Sequence, residues 1–86
     1  MPSPEFESAA EAANNFTTKP TDDELLDLYG LYKQASVGDI NTTRPGMMDF
    51  KGKYKWDAWK SREGISQEEA EQLYITLVTE LGAKYA

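Results

Sequence analysis

The sequence contains neither cysteine nor histidine. The first absence excludes a disulfide framework and a thiolate metal site; the second removes the commonest metal ligand and general base. Catalysis would then fall to Lys, Asp or Glu bases, and the acids lie mostly where helices are expected to start, as caps and solvated faces. The chain is therefore expected to be a binding protein and not an enzyme, with no cofactor. No stretch approaches the roughly 18 apolar residues that a membrane span needs. The terminal segment Met1-Pro2-Ser3-Pro4-Glu5-Phe6-Glu7 lacks a basic region followed by an apolar run, so a cytoplasmic location is expected. The sequons Asn15-Phe16-Thr17 and Asn41-Thr42-Thr43 carry no weight in that compartment.

Positive charge is also scarce, with 9 Lys and Arg against 15 Asp and Glu and a net charge of −6. Its distribution is uneven. From Lys33 to Arg62 seven cations (Lys33, Arg44, Lys51, Lys53, Lys55, Lys60, Arg62) face three anions (Asp39, Asp49, Asp57), a balance of +4 that leaves −10 for the rest. An acidic body with one basic segment fits a small, localised anion better than a nucleic acid, whose binding needs many phosphate contacts over a broad surface. With 86 residues the chain suffices for one domain, expected to span 1–86, at a size where roughly 60–65% of the unfolded surface is buried.

What the sequence does contain is helix signal. Phe6, Ala9, Ala10 and Ala13 recur at helical spacing behind Pro4, which predicts a first helix over about 4–16 with a narrow face of small residues. Thr21-Asp22-Asp23-Glu24 reads as a capping box opening a second helix over about 21–37. Leu25, Leu28, Tyr29, Tyr32 and Ala35 keep its period, Leu26 and Leu31 widen the stripe, and Gly38 supplies a stop. Residues 38–49 have no sustained period and read as a long loop, a feature often tied to function. Asp49 caps a shorter third helix through Lys60, with Gly52 weakening its first turn. Ser66-Gln67-Glu68-Glu69 repeats the capping-box pattern before the amphipathic series Ala70, Leu73, Tyr74, Leu77, Val78, Leu81, Tyr85, predicting a fourth helix over about 66–84. The expected class is an all-α four-helix bundle with a long loop between helices 2 and 3.

Tyr29, Tyr32 and Lys33 share one side of the second helix, joining two phenols that can donate or stack with a cation that can hold a phosphate. Lys51 and Lys55 share a face of the third helix, with Tyr54, Trp56 and Trp59 interleaved. Tyrosines at this spacing also serve as half-buried core, lysines as a solvated face, and the tryptophans as core anchors. Met47-Met48 either fills space in the loop or lies near an apolar ligand.

Three segments resemble a known family: Tyr29-Gly30-Leu31-Tyr32-Lys33-Gln34-Ala35-Ser36-Val37-Gly38-Asp39-Ile40-Asn41, Arg44-Pro45-Gly46-Met47, and Lys53-Tyr54-Lys55-Trp56-Asp57-Ala58-Trp59. Together with Thr18-Lys19-Pro20 they are similar to the acyl-CoA-binding protein (diazepam-binding inhibitor) family over essentially the whole chain. The resemblance implies an intracellular carrier and pool former in lipid metabolism that binds medium- to long-chain acyl-CoA with high affinity. It also implies a monomer that makes transient contact with membranes and acyl-CoA-using enzymes. Residue by residue, it implies that Tyr29, Lys33 and Lys55 hold the ribose 3′-phosphate and that Tyr32 packs on the adenine. Tyr74 would join that pocket, Lys51 would touch the ligand, and Ala10 would line the cleft. Asn14 stands where many members carry a basic residue, which removes a charge-assisted contact. Tyr54 stands where members often have a small one. Two other readings use the same residues: a precursor of signalling peptides, disfavoured by the lack of dibasic pairs, and a phosphoinositide or nucleotide module without an acyl cleft.

Overall fold

The computed structural model describes residues 3–86. Met1 and Pro2, which begin the terminal segment read above for a leader and the expected 1–86 domain, lie outside them. Four helices form, α1 (Pro4–Asn14), α2 (Asp22–Ser36), α3 (Phe50–Lys60) and α4 (Gln67–Tyr85), with no strand among the described residues. The all-α four-helix expectation is borne out. No described helix is long and apolar enough to cross a membrane.

Each helix starts where a side chain can take up an amide that has no partner within the helix. The Ser3 hydroxyl accepts from the Phe6 amide, and the Asp49 carboxylate from the Gly52 amide. At α2 the capping box is complete, with Thr21 Oγ1 accepting from Glu24 N and Glu24 Oε1 from Thr21 N. At α4 only half of it forms: Ser66 Oγ accepts from Glu69 N, while no bond returns from the Glu69 carboxylate. Gly38 ends α2 with φ +99°, a left-handed conformation that a side chain would strain.

α1 stops two residues short of the expected end. The chain leaves the helix so that Phe16 packs on Tyr85, with ring centroids 6.3 Å apart. The amides of Thr17 and Thr18 and the Thr17 hydroxyl then all donate to the Tyr85 carbonyl, an acceptor left open at the end of α4. Glu24 closes the same corner. The Tyr85 hydroxyl donates to it at 2.7 Å, the Thr21 amide at 2.8 Å and the Lys84 ammonium at 2.9 Å, and together they hold its carboxyl down at about 2.

α1 packs on α4, α4 on α2 and α2 on α3, so the helices lie in the spatial order α1, α4, α2, α3. The resulting body measures 35 × 28 × 15 Å, thin across one direction. Its core runs along the middle helices through Leu28, Leu31, Ala35, Ala70, Val78 and Leu81, and Phe6 and Ala9 bring α1 onto it. α1 and α2 flank α4 with their backbones apart and meet through side chains, the Phe6 ring stacking on Tyr32 at 5.5 Å.

The 38–49 loop is pinned by the tryptophans. Trp59 Nε1 donates to the Gly38 carbonyl at 2.8 Å and Trp56 Nε1 to that of Thr42 at 2.9 Å. Arg44 adds a bidentate pair with Asp57, both bonds 2.9 Å. The fully buried Gln34 joins the loop to the α3–α4 connection, its amide donating to Asp39 and to the Ile65 carbonyl. Met47 and Met48 stand out into solvent, contrary to the loop-packing role considered for them.

Candidate functional site

Two concave surfaces flank the α2 ridge, and a further one of about 400 Å³ between α1 and α4 has neither lysine nor tyrosine in its lining. The first, of about 550 Å³, lies between α2 and α3, within the roughly 300–1,000 Å³ range of small-molecule sites. From α2 come Asp22, Leu25, Leu26 and Tyr29; from α3 come Lys51, Tyr54 and Lys55; and Lys19 stands at its edge ahead of α2. The second, of about 300 Å³, occupies the gap between α1 and α2 above α4. Ala10, Ala13 and Asn14 form its α1 wall, Tyr29 and Tyr32 its α2 wall, and Tyr74 reaches it from α4. Leu25 and Tyr29 border both. The two recesses thus adjoin across these shared side chains and are together the trough, apolar at the leucines and aromatic at the tyrosines.

The small residues of α1 leave room for the second recess, as a narrow alanine face allows. Its aromatic side is a cluster in which the Phe6 and Tyr74 rings lie 5.0 Å apart and the Tyr32 and Tyr74 rings 5.9 Å apart. Tyr74 is only 4% exposed. Burial, reinforced by neighbouring Tyr32, pushes its phenol up to about 12, so it remains a hydroxyl donor throughout the physiological range.

The cations between residues 33 and 62 divide into two groups. Arg44 pairs with Asp57, Lys60 with Glu63 at 2.7 Å, and Arg62 with Asp27 at 3.5 Å. Lys33, Lys51, Lys53 and Lys55 have no carboxylate partner among the described residues. Three of these four rest on rings instead: Lys55 Nζ lies 4.8 Å from the Tyr29 centroid, Lys33 Nζ 4.8 Å from that of Trp59, and Lys53 Nζ 5.0 Å from that of Phe50. An ammonium on an aromatic face keeps its protons available to a further acceptor. Positive charge is therefore concentrated on α3 and the facing end of α2, partly offset by the Asp57 carboxylate that Arg44 holds and Lys53 attracts.

Seven of the eight residues singled out from the sequence border the trough: Ala10, Asn14, Tyr29, Tyr32, Lys51, Lys55 and Tyr74. Lys33 stands beside it, its ammonium drawn onto Trp59, and lines neither recess. Leu25 and Leu26 were read only as helix stripe, yet they form the apolar wall facing α3. A signal was present, since the apolar arc of α2 is wider than one helix contact requires. Tyr54, singled out only as a departure from the family pattern, lies at the rim of the first recess.

The profile described as "Acyl CoA binding protein" matches residues 3–78. An acyl-CoA-binding protein homolog of Drosophila melanogaster is 55% identical over 86 residues, the full length of both chains. The acyl-CoA-binding protein of Saccharomyces cerevisiae is 54% identical over 81 residues, covering 94% of this chain and 93% of the relative. Among solved structures, acyl-CoA-binding protein 2 of Oryza sativa superposes with a TM-score of 0.89 at 50% identity, covering 93% of this chain and 87% of that one. By profile, relatives and architecture together, the chain belongs to the acyl-CoA-binding protein family.

Proposed function

We propose that this protein binds medium- to long-chain acyl-CoA one-to-one and acts as a cytoplasmic carrier and pool former, a monomer formed by the single domain 1–86. The observation that carries this reading is the trough itself, where an apolar wall of Leu25 and Leu26 runs beside tyrosines and the lysines Lys51 and Lys55, which make no ion pair among the described residues although Asp22 shares the lining. The acyl chain lies along the leucines between α2 and α3. Tyr29, Lys33 and Lys55 hold the ribose 3′-phosphate, Tyr32 packs on the adenine, and Tyr74 donates from below. Lys51 and Asn14 add polar contacts, and Ala10 lines the cleft. No bond is made or broken, and the thioester is held until it is passed on to membranes and acyl-CoA-using enzymes.

Burying a sixteen-carbon chain at about 0.8 kcal/mol per methylene has an upper bound of about 12 kcal/mol. The open trough and the ordering of the ligand reduce that figure. Each charge-assisted hydrogen bond adds about 1.5–3 kcal/mol. The chain then sets the dependence on acyl length, and the lysine and tyrosine cluster rejects free fatty acids, which have no 3′-phosphate. Calorimetry is expected to show tight binding of palmitoyl-CoA and far weaker binding of palmitate and of free coenzyme A. Lys33→Ala and Lys55→Ala should each cost at least about 1.5 kcal/mol of binding with helix content unchanged. Equal affinity for palmitate and palmitoyl-CoA would overturn the reading.

A further inference from the structure

The turn before α3 and the first turns of that helix expose apolar side chains one after another. Met47 is 80% exposed, Met48 90%, Phe50 61% and Tyr54 60%. Single exposed apolar residues are ordinary, but four within eight positions mark a surface that meets something else. Neither methionine borders either recess, so the trough does not account for them.

The charges around this tip restrict its partner. Lys51, Lys53 and Lys55 follow directly and lack carboxylate partners among the described residues, while Arg44 is engaged by Asp57. The one acid within 44–55, Asp49, is occupied in capping α3. An acidic protein of net charge −6 thus presents three cations without an ion pair beside its most exposed apolar residues. Thioether and aromatic side chains ringed by lysines match the boundary between acyl chains and phosphates of a bilayer. The apolar groups enter, and the lysine stems lie along the surface with their ammoniums on the headgroups. A second copy of this chain would bring the same lysines against each other.

From this we infer that the Met47–Tyr54 tip docks the protein on membrane surfaces that carry anionic phospholipid. The inference rests on the carrier reading and gives its membrane contact a place. Lys51 and Tyr54 belong both to the tip and to the rim of the α2–α3 recess, so docking sets the mouth of that recess against the lipid. An acyl chain can then pass between leaflet and groove without crossing open water, and its apolar surface stays covered throughout.

The test is flotation of the ligand-free full chain with vesicles of phosphatidylcholine, with and without phosphatidylserine, at low and high salt. Wild type is expected to partition onto the phosphatidylserine vesicles, less so at high salt, and only weakly onto phosphatidylcholine alone. Met47→Ser with Met48→Ser should lower the partition coefficient at least about tenfold. Because both side chains are exposed and outside the trough, palmitoyl-CoA affinity measured without vesicles should stay within about twofold. Equal partition of wild type and the double variant would overturn the proposal. So would equal partition onto the two lipid mixtures, or self-association of wild type that the double variant abolishes. Failure of palmitoyl-CoA to bind in solution would instead remove the carrier reading while leaving the vesicle result standing.

Discussion

Gly30 sits where α2 crosses α3, and a methyl group there has nowhere to go. A Cβ built on it would lie 2.5 Å from the Ala58 carbonyl oxygen and 2.9 Å from its carbon. Ordinary contact begins near 3.4 Å, so α3 must retreat by about 0.9 Å. Both obstructing atoms are backbone, and no change of rotamer relieves them. Overpacking of this kind costs about 1–3 kcal/mol, against which replacing a helical glycine by alanine returns about 0.5–1 kcal/mol. A backbone contact this short falls in the upper half of that cost, so Gly30→Ala is expected to be about 1–2.5 kcal/mol less stable than wild type. Gly82→Ala provides the contrast, because its Cβ would meet only Phe16 Cε1 at 3.9 Å. With the helical preference acting alone, that variant should gain up to about 1 kcal/mol. Urea unfolding followed by tryptophan fluorescence measures both, since Trp59 lies on the displaced helix. Palmitoyl-CoA affinity should fall in Gly30→Ala, whose groove walls move apart. A Gly30→Ala protein as stable as wild type would refute the close approach of the two helices.

Glu24 titrates well below its ordinary 4.5 in the folded protein, at about 2. Its contribution to stability is thus present above about pH 4.5 and is lost as the pH falls towards 2; the thermal midpoint of wild type should fall more steeply over that window than that of Glu24→Gln. Phe6→Ala removes the ring that joins α1 to Tyr32 and Tyr74 and should cost about 3–5 kcal/mol in urea unfolding. Trp59→Phe leaves the Gly38 carbonyl without its indole donor, and a loss of about 1–3 kcal/mol is expected in the same assay. Asn14→Lys places a cation on the α1 wall of the second recess and should tighten palmitoyl-CoA binding about fivefold by calorimetry, an effect that high salt removes.

The helices were legible because their signals are local. The Thr21 and Glu24 exchange, the Asp49 cap and the Gly38 stop each depend on residues a few positions apart. Helical period was less informative about what each face meets. It placed Leu25 on the same stripe as Leu28, yet Leu28 is buried and lines only the second recess while Leu25 borders both. The gap between α1 and α2 depends on both packing against α4, which no spacing within either helix encodes. Likewise, Trp59 is the buried anchor its residue type suggests, but nothing in the spacing of the tryptophans marks the loop carbonyls 14 and 21 positions away that their N–H groups hold. Met47 and Met48 misled in the opposite direction. Their apolar character implied packing, whereas a loop tied down at Gly38, Thr42 and Arg44 carries them outward.

A body only 15 Å thick across one direction has little interior in which to hide apolar surface. A bound acyl chain would cover the leucine wall and tyrosines that are otherwise open to water, so cargo and scaffold would share one core. At a free ligand concentration of one hundred times Kd, mass action alone adds about 2.7 kcal/mol to folding. An empty molecule then unfolds and is degraded more readily than a loaded one. The cell's stock of carrier would rise and fall with the acyl-CoA it has to hold, through protein lifetime alone and without a change in synthesis.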